Sequence, residues 1–231
     1  MLDDTRFDGR CAVKRENGLK AVRGDDGRES RSLVGIDGFN PFTRNRYNEG
    51  RDILFIGFYH KYWLDQEHKI RNPRFNENSR MLLDLKESKE GALRYFYGIL
   101  NHEIPKEVSI CVVPSCTAGN FDTGIARLGK MLADNGRVDR VCFLERMRSI
   151  PKLSTGGRRS KELHRRTIKP LEGMSVEGET VVLLDDVATT GNSLWACRDI
   201  LMRCGAREVK MVALGLTCRS DQKTAERACA G

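Results

Sequence analysis

Long apolar runs are missing from this chain of 231 residues, and their absence sets the first limits on what it does. The longest, Ile53 to Phe58 and Val181 to Leu184, fall far short of the roughly 20 residues that a membrane-spanning helix needs, which excludes a helical membrane protein. The opening residues MLDDTRFDGR lack the apolar stretch of a secretory leader, so the expected location is the cytoplasm, where the 8 cysteines stay reduced. Those cysteines form no C-x-x-C pair and the 4 histidines no H-x3-5-H, so no structural metal site is expected. Internal repeats and low-complexity tracts are also lacking. The length allows one large or two small domains with a real core.

Charge is present in quantity but unevenly placed. The formal net charge is +8, from 40 Lys and Arg against 32 Asp and Glu. Between Arg146 and Lys169 lie nine basic residues against one acid, Glu162, so this segment alone accounts for the whole excess. Positive charge spread over a face suggests general nucleic-acid binding, whereas charge confined to one Gly-containing stretch suggests a local anionic ligand such as a polyphosphate. A solvated charged loop is the alternative.

Along the chain, residues 1–50 form an extension rich in Gly, Asp and Arg. Asn17-Gly18 and Asp26-Gly27 are hairpin signals, so CAVKRE, LKAVR and SRSLVGI are expected as three short antiparallel strands, with a partly disordered arm as the alternative. ILFIGFYHKYW (53–63) reads as a strand entering a loop. Asn78 or Ser79 then caps a long helix carrying Met81, Leu82, Leu85, Leu93, Phe96, Tyr97 and Leu100 at helical spacing, with a break near Gly91 and an end at Pro105. From residue 108 strands and helices alternate: VSICVV, the helix TGIARLGKMLADNG, VDRVCFLE, the basic segment, VVLLDDV, the helix SLWACRDILMRCG, and EVKMVALGL. Continuous apolar strands separated by helices predict an α/β fold with a parallel twisted sheet covered on both faces. In such sheets ligands bind beyond the carboxyl ends of the strands, which singles out the loops that begin at Pro114 and Ala188.

Residues 181–193, VVLLDDVATTGNS, combine buried strand positions, two adjacent acids and a small-residue loop running into a helix. Asp185 and Asp186 alternate across the strand, yet at a frayed sheet end both can reach the vicinal hydroxyls of one sugar, for which carboxylates are paired acceptors. The loop Ala188, Thr189, Thr190, Gly191, Asn192 and Ser193 lets the backbone approach a phosphate closely and points helix N–H groups at it.

This motif resembles the thirteen-residue phosphoribosyl pyrophosphate (PRPP) signature of the type I phosphoribosyltransferases, and the resemblance extends over about residues 50–220. It implies that Asp185 and Asp186 hold the ribose hydroxyls and that residues 188–193 wrap the 5′-phosphate. It implies a pyrophosphate loop at VVPSCTAGN, with Ser115, Cys116, Thr117 and Ala118, and a mobile catalytic loop at residues 146–169. Arg158, Arg159, Lys161, His164, Arg165 and Arg166 are then the candidates to stabilise the leaving pyrophosphate. Magnesium is implied as part of the substrate, held by PRPP without direct protein ligands. The domain division that follows is an extension (1–50), a hood or helical segment (51–107), a transferase core (108–220) and a tail (221–231). A homodimer is the family's usual assembly.

The chain departs from the family pattern in three places. Ser115 to Asn120 contains no basic residue; Thr189 stands where the 6-oxopurine enzymes carry an Asp; and the cysteine zinc finger and R-G-x-N turn of many ComF-like proteins are absent. DDVATTG places the chain nearest the orotate-type and ComF-like members. The acceptor is expected under the hood, where Phe58, Tyr59, Tyr62 and Trp63 either stack a base or simply form core. His60, His68 and His102 read as surface or packing residues, and Cys116 as a buried thiol rather than a nucleophile. Two other functions stay open: a PRPP or nucleotide sensor that does not turn over, and a nucleic-acid-associated effector in DNA processing or defence that uses the basic segment.

Overall fold

A computed structural model describes residues 13–16, 19–23, 29–32, 43–47, 51–151 and 160–217, with side chains from Ile53 onward. The turns expected at Asn17-Gly18 and Asp26-Gly27, Arg158 and Arg159, and the tail from 221 lie outside these residues. The centre is a parallel sheet of five strands, in the spatial order β5 (Arg51–Tyr59), β13 (Glu208–Thr217), β12 (Thr180–Ala188), β8 (Ser109–Val112) and β9 (Val138–Asp139). On the far side of β5 the sheet continues antiparallel through β4 (Thr43–Tyr47), β3 (Glu29–Ser32), β2 (Leu19–Arg23) and β1 (Val13–Glu16). The sequence pattern gave β1 and β2, set β3 slightly late, and left out β4, whose TRNRY has no apolar alternation to reveal it.

Burial explains why the central strands read as unbroken apolar runs. Val181 and Leu183 face one core with Cys111, Val113, Met211 and Ala213, under Leu194, Trp195, Cys197, Ile200 and Leu201 of α5 (Asn192–Arg203). Val182 and Leu184 face the other core with Ile110, Val112, Val212 and Leu214. That face is covered by α1 (Glu77–Lys86), α2 (Glu90–Glu103) and α3 (Gly124–Ala133). Leu183 and Leu184 are fully buried, each worth roughly 1.5–3 kcal/mol of apolar transfer, so β12 is fixed from both sides.

Three local expectations need correction. The first helix is capped by Asn76, whose Oδ1 accepts from the N–H of Ser79 at 2.9 Å, and not by Asn78 or Ser79, which lie within the first turn. The break between the helices falls at Glu87–Lys89, where Ser88 has φ 55°, so Gly91 belongs to the first turn of α2. VDRVCFLE is not one strand: the Asp139 carboxylate accepts from the N–H of Val141 at 3.0 Å and turns the chain out of the sheet after β9. The remainder forms β10 (Leu144–Arg146), paired antiparallel with β11 (Ile168–Pro170) over the α5 face. Between them the segment contains α4 (Lys161–Thr167). A small hairpin of β6 (Trp63–Asp65) and β7 (Ile70–Arg71) follows β5.

Candidate active site

Neighbouring strands β8 and β12 send their crossovers to opposite faces. β8 continues through α3 to β9, and β12 through α5 to β13, which opens a crevice at their carboxyl ends, where open α/β sheets bind ligands. The pairing of β12 with β8 stops at Leu184 and Val112, while its pairing with β13 continues to Ala188 and Leu216. Asp185 and Asp186 therefore stand on an edge opened on one side only, not on a frayed strand end as the sequence suggested.

Alternation along β12 gives the two acids different surroundings. Asp185 lies on the α5 face, 9% exposed, and accepts from the Ser193 hydroxyl at 2.9 Å and the Asp186 N–H at 2.9 Å. Burial first, and the neighbouring Asp186 charge second, push its carboxyl up to about 8. Asp186 lies on the face covered by α1, α2 and α3, where it accepts from the Val187 N–H at 2.6 Å and has the Lys86 ammonium at 3.6 Å. That ammonium also sits 5.6 Å from the centre of the Tyr59 ring.

The turn into α5 is built on Gly191, whose φ of 74° favours glycine and whose missing Cβ would lie 2.7 Å from Ile53 Cδ1. The helix has no acid in its first turn and no side-chain bond at its cap residue, so the positive end of its dipole faces the crevice. Ala188 is the last strand residue, buried and paired with Leu216, and Thr189 shares a 2.9 Å hydroxyl bond with Thr217. Thr190 bonds weakly to the Asn192 N–H at 3.4 Å. Thr189 through Ser193 thus lie beyond the last pairing of β12, that of Ala188 with Leu216.

The 114–121 loop on the β8 side is held by the end of β10 and the residues that follow it. Arg146, only 4% exposed, donates to the carbonyls of Ser115 and Pro114, and to the Thr167 hydroxyl at 2.7 Å. Ile150 N–H donates to the Cys116 carbonyl at 2.9 Å, and Ser149 accepts from the Ala118 N–H at 2.9 Å. Thr117 N–H turns back onto the Ser115 hydroxyl at 3.2 Å. A shallow concavity lies alongside, bounded by Pro114, Phe121, Cys142 and Arg146.

The described cationic candidates are partly neutralised. Lys161 lies 2.9 Å from Asp199 of α5, Arg165 bonds the same carboxylate, and Arg166 bonds Glu162 at 3.0 Å. His164 is 3% exposed, with its Nδ1 3.3 Å from the Arg146 guanidinium. Cys116 is half-buried, not fully buried as expected, whereas burial pushes the Cys111 thiol up to about 12. Of the aromatics, Tyr59 lies under Lys86, and Trp63 meets Tyr62 edge-on at 4.7 Å, with Phe75 at 5.0 Å on Tyr62. His68 and His102 pair with Asp65 and Glu103 on the surface. Lys86, Arg146 as a buried clamp, Ser149 and Asp199 were not foreseen. Only Arg146 carried a sequence signal, its place at the start of the basic segment.

These features define an α/β protein with a crevice at the carboxyl ends of its central strands that contains paired acids. A family model for the phosphoribosyl transferase domain matches residues 145–227, which include β12, the acids and α5. No curated protein is significantly similar to the chain. Among solved structures, it is similar to phosphoribosylpyrophosphate synthetase from Mycobacterium smegmatis, with 17% identity, 55% of this chain and 33% of that chain covered, and a TM-score of 0.31. It is also similar to a hypoxanthine phosphoribosyltransferase from Staphylococcus aureus, with 14% identity, coverages of 58% and 63%, and a TM-score of 0.32. For the purine phosphoribosyltransferase from Pyrococcus horikoshii Ot3 the identity is 19%, the coverages 69% and 78%, and the TM-score 0.29. The chain thus spans a third of the synthetase and under two thirds of the S. aureus enzyme.

Proposed function

We propose that this protein is a phosphoribosyltransferase that takes magnesium-bound PRPP and transfers the phosphoribosyl group to a nucleobase-like nitrogen, releasing pyrophosphate. The observation that carries the reading is the meeting, in one crevice, of the Asp185–Asp186 pair with the Gly191-capped start of α5, linked by the bond from Ser193 to Asp185. The chain's own task is electrostatic and positional. The acids take the ribose hydroxyls, and the α5 N-terminus takes the 5′-phosphate. The bond from the anomeric carbon to pyrophosphate then breaks as the acceptor nitrogen bonds from the opposite side. Magnesium belongs to the substrate here, neutralising pyrophosphate.

Thr189 supports an orotate-type or ComF-like acceptor over a 6-oxopurine, because its hydroxyl is shared with Thr217 and offers no carboxylate for a purine proton. A cytoplasmic homodimer completes the proposal. A second reading, a PRPP sensor without turnover, is favoured by the N–H groups of Thr117 and Ala118 already being bonded to Ser115 and Ser149.

Calorimetric titration of magnesium-PRPP into the wild type and into Asp185→Asn/Asp186→Asn tests the site: binding by the first and none by the second is expected. No binding by the wild type overturns both readings. Release of pyrophosphate in a screen of nitrogen bases then separates enzyme from sensor.

A further inference from the structure

Pyrophosphate brings several negative charges into a crevice that already holds two acids, and the loop from Ser115 to Asn120 offers no cation against them. Arg146 is buried beneath the carbonyls of that loop, and Lys161 and Arg165 are engaged with Asp199. A different element supplies a charge. Lys86, in the last turn of α1, places its ammonium 3.6 Å from the Asp186 carboxylate, with the side chain 44% exposed. Its neighbour Leu85 fixes this position: a Cβ on Gly124 would lie 1.7 Å from the Leu85 carbonyl oxygen, so the end of α1 abuts the start of α3 with no room for a side chain between them. Since α3 begins where the 114–121 loop ends, Lys86 stands at the junction of β12, α1 and that loop.

Resting on the PRPP reading above, we propose that Lys86 is a substrate-contacting residue that binds the pyrophosphate of PRPP in place of a cation in the loop itself. Its ammonium is held by Asp186 and the face of Tyr59. When ribose hydroxyls occupy Asp186, the flexible lysine stem lets the ammonium swing onto pyrophosphate oxygens. The site thus takes its cation from the segment that precedes the transferase core.

The test compares two ligands that differ only in pyrophosphate. Binding of magnesium-PRPP and of ribose 5-phosphate is measured by calorimetry for wild type, Lys86→Met and Lys86→Arg. In Lys86→Met, PRPP affinity is expected to fall by roughly ten- to a hundredfold, as for the loss of one charge-assisted bond, while ribose 5-phosphate affinity changes less than about twofold. Lys86→Arg is expected to recover most of the PRPP affinity. An equal loss for both ligands would overturn the proposal, showing that Lys86 acts only by orienting Asp186, and unchanged PRPP affinity would overturn it as well. If the wild type binds neither ligand, the PRPP reading itself falls, an outcome distinct from a lysine-specific failure. Because Lys86 is largely exposed, melting curves of the variants should match the wild type.

Discussion

The two sides of the crevice are built by different means. The β12–α5 side is made by one continuous stretch in which strand, acids, turn and helix follow one another from Thr180 to Arg203. The β8 side is a loop whose carbonyls and N–H groups are held by residues more than 30 positions later, through Arg146, Ser149 and Ile150. A continuous motif fixes its geometry by local backbone rules, whereas a clamped loop depends on side chains that must first be brought to it. The first should break when its backbone is changed, and the second when its clamp is removed.

The largest loss of stability is expected at Gly191. Replacing it with Ala adds a Cβ at 2.7 Å from Ile53 Cδ1 in a residue with φ of 74°. Left-handed strain and overpacking together should cost about 2–4 kcal/mol, seen as a lower denaturation midpoint and lost PRPP binding. Arg146→Met should come next, at about 2–3 kcal/mol, because it strips a partner from the part-buried carbonyls of Pro114 and Ser115 and from the buried Thr167 hydroxyl. If Arg146→Met left stability unchanged, the clamp would have no energetic content and the contrast between the two sides would collapse.

This contrast also explains what could be read from the sequence. The α/β class and the succession of strands and helices from residue 108 were legible because a buried parallel strand leaves an unbroken apolar run, and Asp185 and Asp186 stood out because the motif is contiguous. The early exit of the chain after Asp139 was not, since it depends on one carboxylate accepting from the Val141 N–H inside an otherwise strand-like run. Nor was the place of Lys86, which reaches Asp186 only because Gly124 admits Leu85 at contact distance. The basic segment was visible as charge, but charge alone could not show that Asp199 engages Lys161 and Arg165 or that His164 is buried beside Arg146.

An effect of opposite sign separates the acids from the frame that holds them. With its carboxyl at about 8 rather than the ordinary 3.8, folded Asp185 keeps a proton that the unfolded chain releases. The folded state therefore binds more protons between about pH 4 and 8, and stability falls as pH rises through that window. Asp185→Asn removes this penalty and leaves an amide able to bond Ser193. It should match wild type near pH 4 and melt higher above pH 8, by roughly 2–4 °C for each 1 kcal/mol relieved, while losing PRPP binding. A variant that melts lower at every pH would show that the carboxylate is stabilising and that its proton is not held.

The smallest effect is expected at Ser149, and its sign is informative. Ser149 accepts from the Ala118 N–H at an exposed position, so in Ser149→Ala water replaces the hydroxyl and stability should change by no more than about 1 kcal/mol. For pyrophosphate to use that N–H, the hydroxyl must first be displaced. Removing it should then raise the affinity for pyrophosphate by roughly two- to fivefold, the equivalent of about 0.5–1 kcal/mol. A fall in affinity of similar size would mean that the Ser149 hydroxyl donates to the anion itself. The segment after β10 would then be part of the binding surface, and the division between a locally built side and a clamped side would have to be redrawn with Ser149 inside the site.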